Sequence, residues 1–461
     1  MSKKHRRYRQ FGFRSLFLLV IAGMVGTGAF TTSGFTLAVV GSPGRVLACW
    51  LAGGAIALCG AIAYGRLATF IPESGGEYLY LTRFVNPYVG FLAGWISLTA
   101  GFSGAIAVAA LAFEAYAIPS RPEWLPPDVI AVAAIILCGL VHGTHARFGI
   151  RLQNLVVVFQ LLALVAFLIL VQLHIHTHEW HSEPLPGFSA EGITLLSGMA
   201  ISIVWISVSY AGFNSAVYIA SEAFEPRRDI PSALIWGTVA VMCLYLVLNA
   251  VFVMAVPPES LVGKVEVAAI AAQAIGGWPL EMLIRAAIAV GLLTSVAGMV
   301  LTGPRVYGKM ASDGVFPRWF KGRDGTGRSI MLQCLLAVGL IICYRFAAYA
   351  GAIESSLSEL LLYLGTTLSL SSACCVATLL LPRARKEHAT SFPMGDAAAL
   401  LYVLATIAAI VLMTLTHEVN GVHRGLWHLL GTGITLVSGT VVFLLMRLIQ
   451  SMRGMNSSAT A

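Results

Sequence analysis

Apolar residues in this chain come in long runs rather than at the spacing of an amphipathic helix or a half-buried strand. Runs of about 20 apolar residues are long enough to cross a bilayer as helices. Twelve such runs occur, at approximately 15–38, 46–71, 88–117, 129–145, 152–173, 195–221, 232–256, 282–310, 330–347, 355–381, 396–416 and 426–448. Charged residues gather in the short segments between them. The pattern predicts an all-α polytopic membrane protein. Between the seventh and eighth runs, "KVEVAAIAAQAIGGW" is apolar but too short to cross, and a short helix on the membrane surface is expected there.

Composition supports this reading. The chain has 461 residues, 58% of them hydrophobic and 11% charged, with a mean hydropathy of +0.83. No single water-soluble core absorbs that much apolar surface. With the N-terminus inside, the inner segments collect 23 of the 29 Lys and Arg residues, leaving Arg45, Arg121, Lys264, Arg285, Arg345 and Arg424 outside. Positive charge marks the cytoplasmic side, so both termini are expected there, in a cell membrane such as the bacterial inner membrane. The same bias accounts for the net charge of +8 without nucleic acid. The basic tail "KKHRRYRQFGFR" before an apolar run imitates a signal peptide, but the run is too long and carries a glycine motif, so a retained first helix is expected. The eight cysteines lie within or at the edges of the runs and form no CxxC pair, so no disulfide framework or zinc knuckle is indicated. The sequon Asn456-Ser457-Ser458 falls in the cytoplasmic tail.

The first run contains "GMVGTGAFTTSGF", with glycine at 23, 26, 28 and 34. Each glycine costs a helix about 1 kcal/mol relative to alanine. Either a neighbouring helix packs closely there or the helix opens. An opened membrane helix exposes main-chain groups that must be satisfied. A zwitterion does this well: free N–H groups at a half-helix N-terminus receive its carboxylate, and carbonyls at a C-terminus receive its ammonium. Five runs later, Tyr210-Ala211-Gly212-Phe213-Asn214 places a glycine among polar and aromatic residues inside the sixth run. Two breaks at corresponding positions suit an inverted repeat with a mid-membrane site.

Four segments then resemble the amino acid–polyamine–organocation superfamily of permeases. "GTGAFTTSG" is similar to that family's G-S/T-G-I-F-x-x-x-G signature, with Ala29 in place of the usual isoleucine. "AYGRLATFIPESGGEYLYLTRFVNPYVGFLAGW" is similar to its Y-A-E-L-A-x-x-x-P-x-S-G-G-x-Y-x-Y stretch and the G-F-x-x-G-W opening of helix three. "YAGFNSAVYIASEAFEPRRDIPSAL" resembles its helix-six motif, and "TGPRVYGKMASDGVFPRWF" the block after helix eight. The resemblance implies a leucine-transporter-type fold: a five-plus-five inverted repeat, with helices one and six broken and two further C-terminal helices. Residues 15–173 and 195–381 would be the repeats, with a basic tail at 1–14, a histidine-containing external loop at 174–194, a cytoplasmic loop at 382–395, helices eleven and twelve at 396–448 and a cytoplasmic tail at 449–461. It also implies a substrate site at Gly26, Thr27, Gly28 and Ala29 for the carboxylate, and at Tyr210, Ala211, Gly212 and Asn214 for the ammonium and side chain.

Departures from the family pattern narrow the expectation. Many relatives carry a lysine in helix five that serves proton coupling; Gln160 stands there, so either coupling takes another form or Gln160 is a packed polar residue. The tryptophan and acidic residue of the superfamily's arginine/agmatine exchangers are replaced by Val208 and Asn214, which favours neutral substrates. Arg66 occupies the glutamate position of Y-A-E-L-A; it either snorkels to water or serves an inner gate facing Glu222. Glu114, near the outer end of the third run, is a functional candidate or a hydrated interfacial group. Asn249 either lines the pathway or bonds a neighbouring helix. The segment "LHIHTHEWHSEP" offers His174, His176, His178 and His181 as weak metal candidates beside the plainer reading of a loop.

No H-E-x-x-H, G-x-S-x-G or phosphate-binding loop appears, so neither an enzyme, a cofactor nor ATP-driven transport is expected. The expected function is a secondary transporter or exchanger for a small neutral amino acid. The alternatives are a permease for another organic amine or a polyamine, a metal carrier suggested only by the histidine loop, and a non-transporting sensor or partner subunit.

Overall fold

The computed structural model describes residues 11–118, 121–144, 146–350, 356–381, 393–416, 418–419, 422–423 and 425–458. The basic tail up to residue 10 and most of the expected loop 382–395 lie outside them. The described secondary structure is helical, mostly α with short 3-10 and π segments, except for a two-stranded hairpin, Glu418–Val419 against Val422–His423. Nine helices among the described residues are long and apolar enough to cross a membrane. A tenth span is a pair, α1 (Phe13–Met24) and α2 (Gly28–Val40), bent by 42°. The shorter apolar helices Val129–Val141 and Val158–His174 occupy the fourth and fifth expected spans, so each of the twelve coincides with a helix.

Local chemistry sets the helix boundaries. Gly41 closes α2 in the left-handed region at φ 71°, a conformation that glycine adopts without strain. Ser42 then caps α3 (Pro43–Phe70), accepting from the Arg45 N–H at 3.3 Å, with proline at its first turn. Beyond α3, Gly75 and Gly76 (φ 149° and 57°) turn the chain into the short α4 (Gly76–Phe84). Asn86 caps α5 (Pro87–Ile96) through the Val89 N–H at 2.9 Å. The third span then widens into a π-helical segment, Ser97–Gly104, before resuming as α6 (Ala105–Ala117). Helices α7 (Val129–Thr144) and α8 (Ala146–His174) complete the first half.

The second half begins with α9 (Gly192–Tyr210), which stops in mid-span and continues as a 3-10 helix, Ser215–Glu222. Helix α10 (Pro226–Met254) follows, and then α11 (Val267–Ser312). Gly277 (φ 67°, ψ −164°) divides α11 and isolates Val267–Gly276 as a short helix. This segment was expected to lie on the membrane surface. One of its faces packs into the protein, with Val267, Ala268, Ala269, Ala271 and Ala272 fully buried, while Gln273 and Ala274 on the other are exposed. Helices α12 (Gly322–Tyr349), α13 (Ser356–Ala377), α14 (Pro393–Thr416) and α15 (Gly425–Ser458) complete the chain.

Burial sorts these helices into centre and rim. Every residue of α2 from Gly28 to Leu37 is buried, as expected of a helix with no charged residue that is enclosed by others. By contrast, α12 and α15 expose Leu335, Phe346, Ile434 and Leu444, a surface suited to lipid. All eight cysteines are free.

Candidate functional site

Two interrupted helices meet at the centre. In the first, α1 ends with the Val25 N–H bonded to the Ile21 carbonyl, and α2 restarts at Gly28. The hydroxyl of Tyr245, on α10, donates to the Met24 carbonyl at 2.6 Å and lies 3.3 Å from the Ser209 carbonyl, so it ties both breaks to one side chain. Thr31 and Thr32 turn their hydroxyls back onto the Thr27 and Gly28 carbonyls. In the second break, Ala211 leaves the helix at ψ 133° and Gly212 stands at φ 105°, where a side chain is strained. The chain recovers through bonds from Ser215 N to Gly212 O and from Val217 N to Asn214 O.

Glycine allows the breaks to touch. A Cβ on Gly28 would fall on Ser209, and one on Gly212 on the Gly23 carbonyl. The Ser209 hydroxyl beside Gly28 is buried and has no partner among the described residues. Gly26, Thr27, Ala211 and Gly212 nonetheless keep partial exposure, while Gly28, Ala29, Tyr210 and Asn214 are buried. Trp50, Tyr210 and Tyr245 form an aromatic wall, with ring centroids 5.3–6.0 Å apart. Behind it, the Trp50 indole donates to Ser33 and Ser33 donates to Asn249, so Asn249 is a helix-to-helix hydrogen-bonding residue. A cavity of about 60 Å³ is lined by Tyr210, Ala211, Phe213, Ser369, Ser372 and Tyr402 among others.

The remaining candidates are spread through the fold. Gln160 is buried on α8 against Gly291 of α11, and its amide nitrogen has no partner among the described residues. Arg66, read either as snorkelling to water or as facing Glu222, pairs its guanidinium with Asp396 of α14 at 2.7 Å. Helix α14 packs along α3, whereas Glu222 is held by its main chain, its carbonyl accepting from Phe11 N. Glu114 is buried rather than hydrated. It pairs with Arg121 and accepts the N–H groups of Asp128 and Ala131 at 2.9 Å each, so it anchors the segment after α6 to the start of α7. The histidines do not converge. His174 bonds the Leu170 carbonyl, His178 bonds Ala255 and stacks edge-on against Trp180, and no metal-competent cluster occurs among the described residues.

One constellation escaped the sequence reading. Glu77, at the start of α4 and 6% exposed, receives the Tyr64 hydroxyl at 2.6 Å, the Ser371 and Ser372 hydroxyls at 2.8 Å each, and the Asn214 amide at 3.4 Å. Its signal in the sequence is the acidic residue directly after Gly75-Gly76.

Fold and site together define an integral membrane protein in which two interrupted spans oppose their main chains at the centre of the bundle. The sequence profile of the family described as amino acid permease matches residues 11–441. The chain belongs to that family.

It is 25% identical over 317 residues to Asc-type amino acid transporter 1 of Mus musculus, covering 67% of this chain and 59% of that protein. It is 27% identical over 316 residues to large neutral amino acids transporter small subunit 2 of Homo sapiens, with the same coverage. It is 27% identical over 272 residues to b(0,+)-type amino acid transporter 1 of Mus musculus, covering 56% and 54%. The chain thus spans about three fifths of the length of the first two of these relatives.

Proposed function

We propose that this chain is a secondary transporter or exchanger for a small neutral amino acid, working by alternating access with both termini in the cytoplasm. The observation that carries the proposal is the contact of the two breaks through glycine, with partly exposed main chain on each side. The first turn of α2 offers main-chain N–H groups and the positive end of a helix dipole to a carboxylate at Gly26, Thr27, Gly28 and Ala29. The end of α9 and the Ala211–Asn214 turn offer carbonyls to an ammonium. The aromatic wall of Trp50, Tyr210 and Tyr245 suits an uncharged side chain. The names of the relatives, all amino acid transporters and one specified for large neutral amino acids, support the same substrate class.

In this reading Gly212 serves as a hinge of the sixth span, Arg66 and Asp396 as a tie between α3 and α14, and Glu114 as a brace of the outer loop. Gln160 offers no titratable proton, so exchange is favoured over lysine-type proton symport.

The test is uptake of a radiolabelled panel of amino acids and amines into proteoliposomes. They are preloaded with unlabelled amino acid or with buffer, and protein-free vesicles serve as control. Uptake of neutral amino acids that requires preloading supports the proposal. Uptake confined to amines, or no uptake by folded protein, defeats it.

A further inference from the structure

The start of the described chain is bonded to the sixth span by main-chain contacts that the proposed transport site leaves unused. Phe11 N–H donates to the Glu222 carbonyl at 3.2 Å, and Phe224 N–H donates to the Phe11 carbonyl at 2.8 Å, a parallel bridge that pairs Phe11 with the buried Ala223. A second tie lies farther along the same two segments, where the Ser215 hydroxyl donates to the Leu19 carbonyl at 3.3 Å. Together they hold the part of the sixth span beyond its break, Ser215–Glu222, against α1. The charge of the chain before the bridge is one-sided. Residues 1–14 carry six Lys or Arg and no Asp or Glu, and the first acidic residue of the whole sequence is Glu73. Exposed rings stand beside the bridge: Phe13 is 38% and Phe224 51% exposed, and Phe224 lies against Gly12. Arg14 and, at the start of α10, Arg227 are exposed as well, while Arg228 pairs with Glu225 at 3.6 Å. Apolar rings next to basic groups at the end of a membrane span match the layering of a bilayer surface, rings toward the acyl boundary and charges among the headgroups.

We propose that the basic tail binds anionic lipid headgroups at the membrane surface and, through Phe11, sets how firmly the second half of the sixth span is clasped to α1. Charge complementarity and reach name the occupant. Lys3, Lys4, Arg6, Arg7 and Arg9 all stand within eight residues of Phe11, so they stay within about 30 Å of the end of the span. Each basic residue held near an anionic leaflet adds to the attraction. Two main-chain hydrogen bonds are a modest tie, and their population responds to the freedom of the chain that leads into them. A tail held among headgroups has fewer conformations to lose when Phe11 pairs with Ala223, so anionic lipid favours the clasped state. Salt screens the attraction and opposes it. The clasp restrains the segment that follows Gly212, so lipid composition acts on the interrupted span through a contact outside the proposed substrate site. The inference does not require the proposed transport function.

The experiment is hydrogen–deuterium exchange of the full-length protein in nanodiscs of phosphatidylcholine, alone or with about one third phosphatidylglycerol. Peptides covering Phe11 and 215–224 are expected to exchange about fivefold more slowly in the anionic discs, the factor that one basic residue held at such a surface supplies. The difference should disappear at about 0.5 M salt. Replacing Lys3, Lys4, Arg6, Arg7 and Arg9 together by glutamine is expected to give the faster exchange in both discs. Phe11→Pro, which removes the N–H that bonds Glu222, should do the same for 215–224. Equal wild-type exchange in the two discs overturns the proposal, whether or not either variant folds. Slow exchange in anionic discs that persists in the folded tail variant also overturns it, as does a folded Phe11→Pro that keeps the lipid dependence. Protection that a short RNA confers in neutral discs and phosphatidylglycerol does not confer would replace the lipid by another polyanion and defeat the assignment. None of these readouts depends on transport, so failure of the uptake panel and failure of the clasp are separate results.

Discussion

Substituting Gly28 by alanine tests the central contact. Gly28 lies where the start of α2 crosses the end of α9. A Cβ there would sit 2.7 Å from both the Cα and the Cβ of Ser209, and closer still to its hydroxyl. Carbon atoms in contact are about 3.5–4.0 Å apart, so the helices must separate by about 1 Å. Because one of the clashing atoms is main chain, rotation of the serine side chain cannot relieve it. Overpacking of this kind costs about 1–3 kcal/mol. If the apposed breaks form the binding site, that cost falls on the geometry that binds substrate. The expected result is a ~5- to 150-fold loss of affinity for the best amino acid of the uptake panel, measured by equilibrium binding to purified protein, with membrane insertion unchanged. Gly28→Leu is expected to abolish binding. Adding Ser209→Ala removes only the hydroxyl and should leave most of the loss, whereas Ser209→Gly removes the Cβ as well and should restore part of it. Wild-type affinity in Gly28→Ala, or full rescue by Ser209→Ala, would refute the reasoning.

Three further outcomes are expected. Tyr245→Phe leaves the buried Met24 carbonyl without its 2.6 Å donor, a loss of about 1–3 kcal/mol, to be seen as a lower thermal unfolding temperature together with weaker substrate binding. Glu114→Gln removes the charge that pairs with Arg121 and braces two N–H groups near the start of α7. It should lower unfolding stability by about 1–3 kcal/mol while leaving affinity within a factor of two, and a large change in affinity with unchanged stability would contradict a bracing role. Arg66→Glu should impair uptake and be rescued by Asp396→Arg but not by Glu222→Arg; rescue by the Glu222 variant instead would reinstate the pairing that the structure does not show.

What the sequence revealed follows from how local each signal was. The spans were legible because a bilayer demands long apolar runs, and Pro87–Ala117 coincides almost residue for residue with the run at 88–117. The breaks at Gly26 and Gly212 were legible because glycine and polar residues in such a run call for an explanation. The widening at Ser97–Gly104 was not, since Gly101 and Gly104 read equally well as packing residues. Contacts between distant residues were hidden altogether. Glu77 receives donors from Asn214, Ser371 and Ser372, separated from it by 137 to 295 positions, and no local pattern announces such a meeting. The pairing of Arg66 was hidden for the same reason: Glu222 belongs to a recognised motif, whereas Asp396 lies at the start of a late helix with no local signal. The burial of Glu114 depended on a loop whose path the chain does not disclose.

The π-helical stretch in the third span makes that helix unequally tolerant of length change. Each of its turns holds about one residue more than an α-turn, so a single-residue deletion within Ser97–Gly104 can be absorbed by tightening it into ordinary α-helix. The same deletion in Ala105–Ala117 has no slack to draw on. It would rotate everything beyond it by about 100° and carry Glu114 away from Arg121 and the start of α7. The span therefore holds a reserve of chain in its middle and none near its outer end, and lineages of this protein that gained or lost a residue there should have done so at the wide turn.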